Sequence, residues 1–215
     1  MIAGLILAAG ESSRMGRDKA SLPFRGSTFL ETIIQTLREA GIARVAVVLG
    51  HHADEILESL QLKDIEVVIN RDYHLGQTSS LQAGLRAVAA MSSSPQSTDQ
   101  GGGGGDNAGT TGEPEAVLLC LVDHPAVSAA TVRALADSFQ QSPAPVIIPT
   151  HQGQRGHPVM IARKLFPELL SLGPVEGANT VIRKYRDTSK FLEIDDEGVL
   201  LDVDDPETFH RLDSV

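Results

Sequence analysis

Two positively charged side chains stand on one short glycine-bounded loop near the start of this chain, in Leu7-Ala8-Ala9-Gly10 followed by Arg14, Gly16 and Lys19. Glycine turns the backbone without a Cβ and exposes successive N–H groups, so with Arg14 and Lys19 the loop reads as a phosphate cradle. The Walker pattern does not fit, because it needs four residues between its glycines and Lys-Ser/Thr directly after, whereas five residues separate Gly10 from Gly16. No Gly-x-Gly-x-x-Gly stands at a strand end, so the dinucleotide fingerprint fails as well. Asp123 supplies the opposite charge: it follows the apolar run Val117 to Val122 and precedes His124-Pro125. That places its carboxylate at the carboxyl edge of a strand, where open α/β sheets bind ligands and where Mg²⁺ can bridge a carboxylate and a triphosphate. The plainer role for Asp123 is to cap a helix near Ser128. In Asp202-Val203-Asp204, alternation sets both acids on one face of an extended segment, and one of them, Asp204 by preference, completes the metal site. An Asp ahead of Pro206-Glu207 is equally a helix start.

These groups need a scaffold that brings distant strand ends together. Ile2 to Leu7 is an apolar run suited to a strand buried on both faces of a parallel sheet. Val45 to Leu49, Ile65 to Ile69, Val117 to Val122 and Val146 to Ile148 repeat that pattern between amphipathic segments. The alternation predicts an α/β fold with a Rossmann-like doubly wound, mostly parallel sheet and helices on both faces. Thr28-Phe29-Leu30-Glu31 forms a capping box for a helix running towards Gly41, with Leu30, Ile33, Ile34 and Leu37 on its buried face. Ser79 or Ser80 starts a second helix carrying Leu81, Leu85 and Val88, and Ser128 a third carrying Val132, Leu135 and Phe139.

The chain has 215 residues, a length suited to one α/β domain over residues 1–215. Residues 92–115, rich in Ser and Gly, hold almost nothing apolar to offset ordering entropy and read as a flexible surface insertion. Eighteen Lys plus Arg against 28 Asp plus Glu give a net charge of −10, which opposes binding to nucleic acid or anionic membranes. No apolar run suits a bilayer and no signal peptide is evident, so a cytoplasmic protein is expected. Cys120 cannot form an internal disulfide and sits within an apolar run as a structural thiol.

Leu7-Ala8-Ala9-Gly10, then Ser12-Ser13-Arg14-Met15-Gly16 and Lys19, resembles the signature loop of the MobA-like nucleotidyltransferases, closest to their molybdenum cofactor (molybdopterin) cytidylyltransferase branch. The resemblance spans Ile2 to Phe209 apart from the glycine-rich insertion, and it implies a nucleotide-diphospho-sugar transferase-like fold. It places Leu7, Ala8, Ala9, Gly10, Lys19, Gly76 and Ser80 on the nucleotide, the last two through Gly76-Gln77-Thr78-Ser79-Ser80-Leu81-Gln82-Ala83-Gly84. It makes Arg14, Lys19 and Asp123 catalytic, Asp123 and Asp204 the ligands of Mg²⁺, and Gly156 and His157 of Gly153-Gln154-Arg155-Gly156-His157-Pro158 the acceptor side. Ala9 favours CTP over GTP by the same likeness. Three departures stand out. Asp205 replaces a threonine and Thr208 the last acid of the closing acidic motif, and Asn179 replaces an arginine, for which Arg183 and Lys184 could substitute.

The implied reaction is nucleotidyl transfer, in which an acceptor phosphate attacks the α-phosphorus of a nucleoside triphosphate and pyrophosphate leaves. A phosphomonoester is already mostly a dianion at neutral pH, so charge repulsion and alignment, not proton abstraction, are the problem to solve. The implied acceptor is molybdopterin or another phosphorylated small molecule, with a molybdoenzyme or its chaperone as a possible recipient. The rival readings are a guanylyl- or uridylyltransferase with another acceptor, and a non-catalytic molybdenum cofactor carrier.

Overall fold

The computed structural model describes residues 1–10, 18–60, 64–91 and 112–212. Arg14 and residues 92–111 of the expected insertion lie outside them. Strand β1 (Ile2–Ala8) is buried at all seven positions, and pairs in parallel with β4 (Val45–Leu49) on one side and β6 (Ala116–Leu121) on the other. Between β1 and β4 come a small hairpin, β2 (Pro23–Phe24) and β3 (Ser27–Thr28), and helix α1 (Phe29–Glu39). Helix α2 (Ala53–Ser59) leads to the outer strand β5 (Glu66–Ile69), and α3 (Gln77–Ala90) returns towards β6. Beyond β6 follow α4 (Ala129–Gln141), β7 (Val146–His151), β8 (Gln154–Arg155) and β9 (Val159–Ala162). The chain closes with α5 (Phe166–Leu170), α6 (Ala178–Lys184), β10 (Lys190–Glu193) and α7 (Pro206–Leu212).

The main sheet runs β10-β7-β9-β6-β1-β4-β5, with β8 paired to β7. Only β8 and β9 run against their neighbours among these described strands, so the sheet is mostly parallel, as the alternating pattern predicts. Successive side chains of β1 go to opposite faces. Ile2, Ile6 and Ala8 join one core layer with Phe29, Leu30, Ile33, Ile34 and Leu37 of α1 and Val132, Leu135 and Phe139 of α4. Ala3, Leu5 and Leu7 join the other with Leu81, Leu85 and Val88 of α3 and Phe166 and Leu169 of α5. Helices therefore cover both faces. Each fully buried large apolar side chain contributes about 1.5–3 kcal/mol, which ties these helices to the sheet.

Local signals set the helix ends. The Glu31 amide donates to Thr28 Oγ1 at 3.3 Å and the Thr28 amide to Glu31 Oε2 at 3.1 Å, completing the expected capping box of α1. Ser128 Oγ accepts from the Thr131 amide at 3.2 Å and opens α4. Helix α3 corrects the sequence reading: it begins at Gln77, two residues before Ser79, with Gly76 at φ 97° as its cap. Ser79 Oγ bonds back to the carbonyls of Asp72 and Gly76, both at 2.8 Å, so its turn-forming chemistry is spent inside the first turn. Gly84 lets α3 sit close on the sheet, since a Cβ there would stand 2.4 Å from Leu5 Cδ1. Among the described residues no helix is long and apolar enough to cross a membrane.

Candidate active site

Because β1 and β6 are parallel neighbours in the register Leu7↔Leu121, the backbone after each leaves the sheet at the same edge. The Val122 amide donates to Leu7 O at 3.1 Å and holds the two exits together. A pocket of about 400 Å³ opens there. Leu7, Ala8, Ala9, Gly10, Lys19, Gly76 and Ser80 all line it, together with Asp123 and Asp204. Asp18, Tyr73 and Gln77, which the sequence did not single out, line it too. A Cβ at Gly10 would meet no atom of the described residues within 4 Å. Gly50 differs: its Cβ would stand 2.4 Å from Ala9 O, so its bareness lets β4 support the loop from behind.

Lys19 is the centre of the pocket's electrostatics. Its Nζ donates to Asp204 Oδ1 at 2.5 Å and to Asp123 Oδ2 at 3.3 Å, with the side chain 12% exposed. Burial by itself would lower the ammonium's pKa, but Asp204 and Asp123 outweigh it and hold the value above that of an ordinary lysine. The Val203 amide donates to Asp123 O at 2.9 Å and the Val203 side chain is buried, with Asp204 in the pocket lining and Asp202 beside Asp123. Asp205 Oδ1 accepts from the Thr208 amide at 2.8 Å and caps α7. The residue that departs from the family motif thus takes the capping role, and Asp204 turns to Lys19.

The same residues fit a divalent cation. Asp123 Oδ1 is buried without a hydrogen-bond partner among the described residues, a costly arrangement for a carboxylate unless a cation meets it. One ligand atom from each of Asp123, His124 and Asp202 lies within 4.8 Å of the other two. Burial, with repulsion from Asp123 and Asp204, pushes the Asp202 carboxyl up to about 6. Of the two acids the sequence left open, the geometry groups Asp202 with Asp123 and draws Asp204 to Lys19.

Ser80 is 4% exposed, and its hydroxyl accepts from Asn70 Nδ2 at 3.0 Å, while Ser79 takes the same amide at 2.9 Å. Tyr73 bonds through its hydroxyl to His51 Nδ1 at 2.8 Å. His52 lies 3.3 Å from Glu55, so both members of the His51-His52 pair have local partners.

A second pocket of about 410 Å³ adjoins the first and shares Leu7, Gln77 and Leu121 with it. Gly156 and His157 line it, as do Asn179, Arg155, Arg183, Arg186 and Phe191. Arg155 stacks on the Phe191 ring at 4.7 Å. Arg183 reaches this pocket, whereas Lys184 turns away to Glu168 at 3.1 Å. Arg155 and Arg186 were missed from sequence: one stood inside the Gly-x-x-Gly-His-Pro segment, the other three residues beyond Arg183. Gly156 is bare for packing, because a Cβ would stand 2.2 Å from Val199 O. Burial, with the neighbouring His124, lowers the His157 pKa to about 4, so at neutral pH this ring is an uncharged hydrogen-bonding group. The two rings lie 5.0 Å apart.

Residues 4–189 match the MobA-like NTP transferase domain, and the chain belongs to that family of nucleotidyltransferases. Nicotine blue oxidoreductase of Paenarthrobacter nicotinovorans is 29% identical over 98% of this chain and 96% of its own. The molybdenum cofactor cytidylyltransferase of Escherichia coli K12 is 24% identical over 95% of this chain and 92% of its own. The crystal structure of Rv0371c from Mycobacterium tuberculosis aligns with a TM-score of 0.79 at 27% identity, covering 100% of this chain and 97% of that one. A structure of the same protein in complex with manganese aligns at 0.73 and 25% identity, over 99% of this chain and 98% of that one.

Proposed function

We propose that this protein transfers a nucleoside monophosphate, CMP from CTP, to a phosphorylated small molecule of the molybdopterin cofactor class and releases pyrophosphate. The observation that carries the reading is Lys19 held between Asp123 and Asp204 at the strand-end pocket, beside a second pocket lined by three arginines. The triphosphate lies along the Gly10 turn with its α-phosphate towards Lys19. An oxygen of the acceptor phosphate forms the new bond to the α-phosphorus, and the bond from that phosphorus to the β-bridging oxygen breaks. Lys19 stays protonated and neutralises charge on the α-phosphate and the departing pyrophosphate. Asp123 and Asp202 or Asp204 would hold a divalent cation, Mg²⁺ being the ordinary companion of a nucleoside triphosphate, and through it would lower the repulsion between the two phosphates. Arg155, Arg183 and Arg186 bind the acceptor's anionic end, and Phe191 offers a face for a flat ring. The cytidylyltransferase name of one full-length relative supports the nucleotide and acceptor.

The test is pyrophosphate release from CTP, GTP, ATP and UTP with Mg²⁺ or Mn²⁺, each with and without molybdopterin. Release with CTP and acceptor together is expected. Preference for GTP moves the chain to guanylyl transfer, and tight molybdopterin binding without release with any nucleotide indicates a carrier. A redox colour change of nicotine blue, without release, would place it with the relative named as an oxidoreductase.

A further inference from the structure

One buried side chain at the site has no part in the charge balance of nucleotidyl transfer. His124 is 9% exposed, and its Nε2 lies 4.0 Å from Asp123 Oδ1. That oxygen is buried without a hydrogen-bond partner among the described residues, while the other oxygen of the same carboxylate takes Lys19. The ring is held in place from two sides: its own amide donates to Leu121 O at 3.1 Å in the turn after β6, and the His157 ring packs 5.0 Å away. The ligand atoms of Asp123, His124 and Asp202 fall within 4.8 Å of one another, close to the span of donors around one ion.

We propose that His124 is a metal ligand alongside Asp123 and Asp202, and that the site prefers a first-row transition ion of the Mn²⁺ or Co²⁺ kind over Mg²⁺. The inference rests on the nucleotidyl-transfer reading for a metal being used at all, and goes beyond it in naming the ion's chemistry and a nitrogen donor. Mg²⁺ is small and hard, takes oxygen ligands and gives up water reluctantly. Imidazole suits first-row transition ions, whose affinity for a mixed nitrogen and oxygen site rises from Mn²⁺ to Co²⁺, while the two carboxylates suit Mn²⁺ as well.

Pulsed EPR of the full chain with Mn²⁺, alone and with CTP, tests this directly. Nitrogen modulation of the Mn²⁺ signal is expected, changing when histidine is ¹⁵N-labelled. Calorimetry with Mn²⁺ and with Mg²⁺ on the wild-type chain and on His124→Gln supplies a second readout. Changes outside the first ligand shell already cost 10–100-fold in metal affinity, so Mn²⁺ binding should weaken by at least about 10-fold while Mg²⁺ binding changes little. If the variant does not fold, the wild-type spectrum decides. Bound Mn²⁺ without nitrogen modulation, or an unchanged ion preference in His124→Gln, overturns the ligand assignment. With pyrophosphate release intact, those results leave nucleotidyl transfer standing. No binding of either ion in the presence of CTP, together with no release, overturns both.

Discussion

Among the described residues, the two adjoining pockets meet at Leu7, Gln77 and Leu121 yet carry opposite charge. The first sets Asp18, Asp123 and Asp204 against Lys19, whereas the second gathers Arg155, Arg183 and Arg186 with no carboxylate in its lining. A triphosphate entering the first pocket meets like charge and needs a cation to join it, while an anionic acceptor entering the second finds its counter-charges already in place. Metal dependence should therefore belong to nucleotide binding and chemistry, and acceptor binding should be independent of metal.

The largest break in that division is Asp123→Asn. It should lower pyrophosphate release by roughly 10³-fold or more, the several kcal/mol of charge stabilisation an ion supplies, while acceptor affinity measured by calorimetry stays near wild type. Lys19→Ala should cost about 10²- to 10³-fold in kcat, as loss of one preorganised charge does, again with acceptor affinity kept. On the other side, Arg183→Ala and Arg186→Ala should each raise the acceptor KM by about 10-fold with kcat nearly constant, the signature of lost uniform binding. An acceptor KM that depends on metal concentration would break the comparison.

Two glycines sharpen it further. Gly10→Ala adds a methyl group where the described residues leave open space, and should raise the CTP KM several-fold, roughly a kcal/mol, with the denaturation midpoint unchanged. Gly156→Ala drives a Cβ against Val199 O and should destabilise the fold by about 1–3 kcal/mol in urea titration. The smallest effect concerns His157. Its folded pKa of about 4 lies below the unfolded value, so the unfolded chain binds more protons between the two, and stability falls as pH drops from about 6.5 towards 4. His157→Asn should flatten that part of the curve.

Much of the strand-end pocket was legible because its parts are local. Ile2 to Leu7 announces a doubly buried strand, Gly10 its end, and Asp123 the end of a second apolar run, so parallel pairing alone brings loop and carboxylate together. The capping box of α1 is a four-residue signal and was read correctly for the same reason. The arginine-lined pocket was less legible, since Arg155, Arg186 and Phe191 come from separate segments and meet only when β8, the turn after α6 and β10 are in place. The reversed direction of β9 is likewise set by its neighbours and not by its four apolar residues. Helix α3 misled by its serines: a glycine at positive φ opens it, and Ser79 and Ser80 bond Asn70 inside the first turn. The division of labour among Asp202, Asp204 and Asp205 depends on where Val203 is buried, which alternation alone does not reveal.

The most direct test of nucleotidyl transfer is ³¹P NMR of the full chain with CTP, a divalent ion and molybdopterin. Nucleotidyl transfer predicts that the acceptor's monoester signal gives way to two coupled resonances of a new phosphoanhydride while pyrophosphate accumulates in equal amount. Orthophosphate or CMP appearing in place of the coupled pair, or an unchanged phosphorus spectrum, would contradict it.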